Sequence, residues 1–231
     1  MFHPEDVPLE RGWPGRVDGG HVVQLAAQTL ESFFTGGGTA REHAVYPLDA
    51  VRLLAPVLHP PSIRLFEDGA TFAFANPAAI RGPGAAIAPP RPRDTVSRGT
   101  LLLLPRLAAV IGADEAVAGV TILAEWCDPA RPASKRSDFA LGLGPVVVTP
   151  DELGANGLAA VVRVDGATRL QERFGGFDWG AARTLAADGT RLRPGDLLGA
   201  TPLTEVEAPA GSEVEVEVAG IGVLEQRVLR D

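Results

Sequence analysis

The sequence predicts a β-rich α+β fold, and three observations support this prediction. The 231 residues include 27 glycines and 20 prolines, so turn signals are dense and the segments between them are short. Many of these segments are apolar runs of β type. Residues 213–218 alternate strictly between glutamate and valine, which is typical of a strand with one buried and one exposed face. With 45% hydrophobic and 22% charged residues, the chain can bury a substantial core.

Residues 1–54 are predicted to form a small lead-in that contains a hairpin and short helices. The turn residues Asp18-Gly19-Gly20 separate two short runs and predict a hairpin over 15–25. Short helices are predicted over 29–34 and 48–54, the latter because Leu48, Val51 and Leu54 have helical spacing.

Residues 55–231 are predicted to form one compact β-rich domain. A loop rich in proline and glycine is expected over 81–98, and apolar strands over 106–112 and 117–124. Asp165-Gly166 predicts a tight hairpin between strands 158–164 and 167–172. A helix is predicted over 178–188 with Asp178 as its N-cap, and strands 213–218 and 223–229 close the chain.

Composition excludes several classes of protein. The net charge is 21 − 29 = −8 with no basic run, which argues against a nucleic-acid partner. The four leucines at 101–104 are far too few to cross a membrane, and the first ten residues do not resemble a signal peptide. The single cysteine, Cys127, excludes a disulfide framework within the chain and a cysteine-rich zinc site. We therefore expect a cytoplasmic protein with no membrane partner.

General catalytic motifs are missing from the sequence. There is no Gly-x-Ser-x-Gly, Walker A or Gly-x-Gly-x-x-Gly pattern, and the four histidines lack metal-ligand spacing. Lys135 is the one lysine among 21 basic residues. It stands either at a surface position by chance or at a place where a compact, titratable ammonium is needed.

Six segments, in order, resemble motifs of the fumarylacetoacetate hydrolase superfamily over roughly residues 50–231. They are Phe74–Pro77 with Ile80–Gly84, Leu107–Gly112, Ala118–Ile122, Lys135 with Asp138 and Leu143–Pro145, Leu192–Pro202, and Glu213–Val228. The resemblance implies a mixed β-sandwich roll with few helices, and a homodimer. It also implies hydrolysis of carbon–carbon bonds, decarboxylation or tautomerisation of small oxo-acids, with Mg²⁺ held by three carboxylates.

The sequence departs from this family at the metal ligands. Two of the three ligand positions are Leu104 and Arg106, and the third is Glu125. One carboxylate beside an arginine is a poor site for Mg²⁺, so no metal is expected unless Glu125 still holds one. Two interpretations of Arg106 remain open. It replaces the metal charge and pairs with Glu125 or a substrate carboxylate, or it only neutralises Glu125 in an inactive pocket.

A second departure concerns the histidine and glutamate that activate water in hydrolytic members. Residues 62–76 contain no histidine, so Glu67 or Asp68 is either a replacement base or an exposed turn acid. Thr201 follows the Gly-Asp-Leu-Leu run one residue earlier than the threonine of the family motif does. These departures favour tautomerisation, decarboxylation or cyclisation over hydrolysis.

The resulting candidate site has Lys135 and Glu125 as catalytic residues, and Arg106, Asp138 and Thr201 as substrate-binding residues. Asp138 is expected to orient Lys135 or cap a turn. The main hypothesis is an enzyme that acts on an anionic oxo-acid or enolisable small molecule without the usual divalent metal. The first alternative is a non-catalytic homologue that serves as a binding or dimerisation partner. The second is a conventional Mg²⁺-dependent hydrolase with misassigned ligands, for which Asp94 and Asp114 are the compensating acids.

Overall fold

The computed structural model describes residues 1–9, 11–90, 99–153 and 157–230. Its strands are β1 (Phe2–Pro4), β2 (Gly15–Asp18), β3 (His21–Ala26), β4 (Thr39–Pro47), β5 (Val51–Leu53), β6 (Ile63–Phe66), β7 (Phe72–Ala75), β8 (Ile80–Arg81), β9 (Ala86–Ile87), β10 (Thr100–Ile111), β11 (Val117–Cys127), β12 (Leu141–Val148), β13 (Ala159–Val164), β14 (Ala167–Arg173), β15 (Leu197–Gly199), β16 (Val206–Pro209), β17 (Glu213–Val218) and β18 (Gly222–Val228). The helices are α1 (Leu30–Phe34) and α2 (Trp179–Ala187), with short 3-10 helices at Leu48–Ala50, Pro77–Ala79, Ala113–Glu115 and Ala133–Lys135.

Two mixed sheets form the body of the chain. The larger has the order β7-β6-β15-β10-β11-β12-β8, with β16 also paired to β10, and the smaller has the order β14-β13-β17-β18-β9. Most neighbours are antiparallel, but β6 with β15, β8 with β12 and β9 with β18 are parallel. The predicted β-rich α+β class and mixed β-sandwich roll are confirmed.

The main core lies between these two sheets. The valines of β17 are buried, as the alternation of residues 213–218 predicts, and they face apolar side chains of β10 and β11. The largest fully buried side chain is Trp126 on β11, whose indole N–H donates a 2.7 Å hydrogen bond to the Oε1 atom of Gln226. This bond satisfies the one polar atom of an otherwise apolar side chain, which allows it to be buried completely.

Strands β10 and β11 form the longest hairpin and lie at the centre of the larger sheet. They are antiparallel from Leu102 opposite Cys127 to Val110 opposite Gly119. Both extend well beyond the predicted limits, because pairing with β15 and β16 on one side and β12 on the other stabilises residues outside the apolar runs. The predicted strands at 106–112 and 117–124 are therefore confirmed but are too short.

The first 54 residues contain two small sheets, β1 with β5 and β2-β3-β4. The predicted hairpin over 15–25 and the helix over 29–34 are confirmed. The predicted helix over 48–54 is wrong, because the chain forms one 3-10 turn at Leu48–Ala50 and then the strand β5, which pairs with β1. Non-local pairing overrides the helical spacing there. Within the predicted loop at 81–98, residues 91–98, including Asp94, lie outside the described residues.

Two further predictions near the C-terminus are confirmed. The side chain of Asp178 accepts a hydrogen bond from the amide of Ala181 and caps α2. The turn between β13 and β14 consists of Asp165 and Gly166, with φ values of 51° and 74°. Two consecutive positive φ angles are what a tight two-residue hairpin turn requires.

We predict that Gly166→Ala lowers the free energy of unfolding by about 1–2 kcal/mol, because an L-residue is strained at φ 74° although no atom lies within 4 Å of the added Cβ. Urea denaturation of the purified variant measures this loss. Gly20→Ala is the matched control, since its Cβ also meets no atom within 4 Å and its φ is outside the left-handed region. Equal stability of Gly166→Ala and the wild type would contradict the assignment of the turn.

Candidate active site

A cavity of about 400 Å³ lies against the larger sheet. Its walls come from β6, β7, β10 and β11, and from the segment 133–138 that follows β11. Arg106 and Glu125, two of the predicted site residues, lie in its floor. Two of the motif segments, Phe74–Pro77 and the segment with Asp138, contribute residues to this cavity, together with Leu104 and Arg106 on β10 and Glu125 and Cys127 on β11.

Arg106 and Glu125 form a buried ion pair in this floor. The Nε atom of Arg106 donates a 2.8 Å hydrogen bond to Oε2 of Glu125, and the two side chains are 1% and 8% exposed. Nη1 of Arg106 donates to the carbonyl oxygens of Phe66 and Ala200, at 2.7 and 2.8 Å. Nη2 forms no hydrogen bond within the described part of the chain and lies 3.7 Å from Oε1 of Glu67, on the cavity side. The guanidinium therefore retains one free nitrogen.

The segment Arg193–Gly199 helps to position the carbonyl groups that hold Arg106. Asp196 accepts hydrogen bonds from the amide of Arg193 and the hydroxyl of Ser62, both at 2.7 Å. Ser62 in turn accepts from Nη1 of the buried Arg64 at 2.6 Å. These bonds fix β15 parallel to β6 and thereby place Phe66 and Ala200 on either side of Arg106. The Pro-Gly-Asp sequence at residues 194–196 therefore supports the structure of the site.

Cys127 lines the cavity next to Glu125. Its Sγ atom lies 3.8 Å from Oε1 of Glu125. Burial, and then the negative charge of Glu125, raise the pKa of the thiol to about 11. The thiol is therefore neutral near pH 7, and Cys127 packs as a small buried residue.

Lys135 and Asp138 lie at the rim of the same cavity. The Lys135 ammonium forms an ion pair with Asp138, and the lysine side chain is 60% exposed. Asp138 lines the cavity and its carbonyl accepts a hydrogen bond from Nδ2 of Asn76, whereas Lys135 is not among the lining residues. Asp138 thus contacts the Lys135 ammonium, which stays largely in solvent.

Thr201 lies away from these residues. It lines a separate cavity of about 450 Å³ together with Leu107, Phe177 and Trp179. The backbone of Ala200, which holds Arg106, separates it from the Arg106–Glu125 pair. The structure brings Arg106, Glu125, Asp138 and the rim residue Lys135 together, and does not bring Thr201 to them.

Arg136 is a cavity residue that sequence analysis did not identify. It follows Lys135 directly, at the end of the 3-10 helix Ala133–Lys135, and is flanked by Ser134 and Ser137, which also line the cavity. The sequence places two cations side by side, Lys135 and Arg136, followed by Ser137. Without the backbone, however, nothing indicated which of the two cations faces inward.

The residues at the family's ligand positions do not fit a divalent cation. Leu104 has no donor atom, Arg106 carries a positive charge, and one carboxylate oxygen of Glu125 is occupied by Arg106. Mg²⁺ and Mn²⁺ require several oxygen ligands. Across the ranges that the structure describes, no group of three or more His, Cys, Asp or Glu side chains could hold a metal ion. None of the described helices is long and apolar enough to cross a membrane.

Comparison with known proteins supports the resemblance drawn from the sequence. The family model described as fumarylacetoacetate (FAA) hydrolase C-terminal matches residues 59–229. No match was found among curated proteins.

Several solved structures are similar to this chain. One is a 5-carboxymethyl-2-hydroxymuconate delta-isomerase from Mycobacterium smegmatis, with 24% identity and a TM-score of 0.76 over 100% of this chain and 98% of that chain. Another is maleylpyruvate hydrolase from Sphingobium sp. SYK-6 in complex with manganese(II) ion and pyruvate, with 20% identity and a TM-score of 0.76 over 95% and 97%. A third is a fumarylacetoacetate hydrolase from Exiguobacterium antarcticum, with 22% identity and a TM-score of 0.76 over 96% of each chain. At these identities the likeness shows the fold.

We predict that Arg106→Met lowers the free energy of unfolding by about 3–5 kcal/mol, because it leaves the carboxylate of Glu125 buried without a partner. The double variant Arg106→Met/Glu125→Met is expected to recover most of this loss. Urea denaturation of the two single variants and the double variant measures the coupling energy.

The control for this cycle is the exposed pair of Arg16 and Glu42, whose side chains are 53% and 58% exposed. Arg16→Met is expected to change stability by less than about 1 kcal/mol. A loss below about 1 kcal/mol for Arg106→Met as well would contradict the burial of the Arg106–Glu125 pair.

Proposed function

The chain belongs to the fumarylacetoacetate hydrolase family, and from this premise we propose that it is an enzyme that acts on an anionic oxo-acid or another small enolisable molecule. The observation that carries the proposal is the cavity in which Glu125 and the free Nη2 of Arg106 stand side by side. Relatives of the same fold are named as a hydrolase of maleylpyruvate and isomerases of hydroxymuconate and hydroxyheptadienedioate. Those names point to oxo-acid chemistry as the class.

In the proposed reaction Glu125 moves a proton at the carbon next to the substrate carbonyl. Its Oε2 accepts a hydrogen bond from Arg106, whereas Oε1 accepts only the weak hydrogen bond of the Cys127 thiol among the described residues. Oε1 is therefore the oxygen that accepts the proton, and Arg106 keeps the carboxylate in one orientation. A positioned carboxylate base typically contributes a factor of about 10²–10⁴ to the rate.

Arg106 is proposed to stabilise the enolate oxygen that develops when the proton leaves. Only Nη2 is available, since Nε and Nη1 already donate to Glu125 and to two carbonyl groups. The N–H groups of one fixed nitrogen in a buried site stabilise developing negative charge, and they need no rearrangement as the reaction proceeds. A fork of two hydrogen bonds to a substrate carboxylate, one of the interpretations from the sequence, would require breaking the bond to Glu125 or those to the carbonyl groups.

The proposal includes catalysis without the divalent metal of the family. Arg106 occupies one ligand position and neutralises the carboxylate of Glu125. The positive charge at this point therefore belongs to an arginine side chain and not to a bound ion. Tautomerisation needs a base and a site for the enolate. Decarboxylation forms the enolate by loss of CO2 and needs a site for it and a proton donor. Hydrolysis also needs an activated water, for which residues 62–76 supply no histidine. The homodimer, the cytoplasmic location and the catalytic role of Lys135 remain predictions.

The second candidate is a non-catalytic homologue that binds a small molecule or a related subunit. The pairing of Arg106 with Glu125 favours this candidate, since a guanidinium with three hydrogen bonds to the protein also fits an inert, neutralised pocket. A conventional Mg²⁺-dependent hydrolase would require other ligands. Asp114 lies in the turn Ala113–Glu115 and does not line the cavity, and Asp94 lies outside the described residues.

We predict that the purified protein turns over at least one compound from a panel of maleylpyruvate, fumarylacetoacetate, 5-carboxymethyl-2-hydroxymuconate and oxaloacetate, with the same rate in EDTA and in Mg²⁺. Ultraviolet absorbance of the enol and conjugated forms measures the rate. Glu125→Gln should lower kcat by about 10²–10⁴-fold, because the proton acceptor is lost.

Glu42→Gln is the control for this experiment, since it removes an exposed carboxylate on β4. Its activity should equal that of the wild type. Activity that appears only with Mg²⁺ or Mn²⁺ would support the conventional hydrolase. A protein that turns over no member of the panel would support the non-catalytic homologue.

A further inference from the structure

Arg136 differs from Arg106 in having no hydrogen-bonded carboxylate partner among the described residues. Its Nε atom is buried and forms no hydrogen bond within the described ranges of the chain. Its nearest carboxylate oxygen is Oε2 of Glu205, which is 3.8 Å from Nη2 and belongs to a side chain that is 55% exposed. A buried N–H without a partner is unfavourable by about 1–3 kcal/mol. The Arg136 side chain as a whole is 41% exposed, so its guanidinium remains accessible to a ligand.

The other charged groups of the cavity are already engaged. Arg106 pairs with Glu125, and Lys135 pairs with Asp138. Glu67 lies at 3.7 Å from Arg106 and is 62% exposed. Arg106 thus has a carboxylate at hydrogen-bond distance, whereas the carboxylate near Arg136 in the described part of the chain, Glu205, is 3.8 Å away and 55% exposed.

The surroundings of Arg136 suit a carboxylate. Ser134 and Ser137, close to Arg136 in the sequence, also line the cavity. The Arg136 guanidinium is close enough to Cys127 to act on the thiol, where its charge and hydrogen bond oppose the larger effect of burial on the thiol pKa. Cys127 is adjacent to Glu125 in the same wall, so Arg136 and the proposed base face one space.

We propose that Arg136, with its flanking serine hydroxyls, is the anchor for the carboxylate of an anionic ligand, and that Lys135 is not. The planar guanidinium can bind a carboxylate through two parallel hydrogen bonds, which the ammonium of Lys135 cannot. This inference rests on the proposed function, because it places the acid end of the oxo-acid at Arg136 and its carbonyl end at Glu125 and Arg106. Arg136 is thus a residue that determines specificity for acids over neutral carbonyl compounds.

The test uses pyruvate as the anionic probe and methyl pyruvate, its uncharged ester, as the matched ligand. Ligand-observed NMR measures the dissociation constant of each for the full-length protein. The wild type should bind pyruvate at least tenfold more tightly than methyl pyruvate. Arg136→Gln should weaken pyruvate binding at least tenfold and leave methyl pyruvate unchanged, whereas Arg136→Lys should retain part of the affinity.

Arg163→Gln is the matched control, because this arginine is similarly half-exposed, pairs with Glu217 on the smaller sheet, and does not line the cavity. It should bind pyruvate as the wild type does. Three results would overturn the proposal: no detectable binding of pyruvate by the wild type, equal binding of acid and ester, or a loss of pyruvate binding on Lys135→Gln that Arg136→Gln does not produce.

The binding test and the turnover test can fail separately. If pyruvate binding depends on Arg136 but no oxo-acid is turned over, the proposed enzyme activity fails and the anchor stands. If turnover is found but Arg136→Gln leaves KM unchanged, the anchor fails and the activity stands. Where a substrate is found, Arg136→Gln is expected to raise KM at least tenfold with little change in kcat.

Discussion

The ion pair between Arg106 and Glu125 joins the two central strands of the larger sheet beneath the cavity. Its guanidinium also binds the carbonyl groups of Phe66 and Ala200, which belong to two further segments of the same sheet. One buried cation thus ties together four separate parts of the chain. Because removing either partner would strand the other in the interior, the pair constrains the strand register and the shape of the cavity together.

The same pair determines what the cavity can do. The resemblance to the family implies a divalent ion held by three carboxylates. In this chain two of those positions are Leu104 and Arg106, and the third, Glu125, is hydrogen-bonded to Arg106. Arg106 keeps a positive charge at this point. It offers a substrate one free nitrogen, Nη2, and it has no coordination positions as a metal ion would. Proton transfer next to a carbonyl fits that arrangement better than activation of water, and a second arginine at the wall supplies the charge that would hold an acid.

Much of the fold could be predicted from the sequence. The hairpins at 15–25 and 158–172, the capped helix α2 and the alternation of β17 depend on local turn chemistry and periodicity. The strand β5 could not be predicted, because only its pairing with β1 distinguishes it from a helix. Within the site, the Arg106–Glu125 pair was among the sequence interpretations, whereas the inward position of Arg136 and the separation of Thr201 depend on how residues 133–138 and 200–203 pack.

The most direct test of this account is a titration of Mn²⁺ into the purified protein, followed by the electron paramagnetic resonance signal of the free ion. If Arg106 takes the place of the metal, the wild type leaves the free-ion signal unchanged at equimolar protein and Mn²⁺. The variant Leu104→Glu/Arg106→Glu, which restores three carboxylates with Glu125, should reduce that signal. Stoichiometric binding of Mn²⁺ by the wild type would contradict the central claim that a covalently attached cation has replaced the metal.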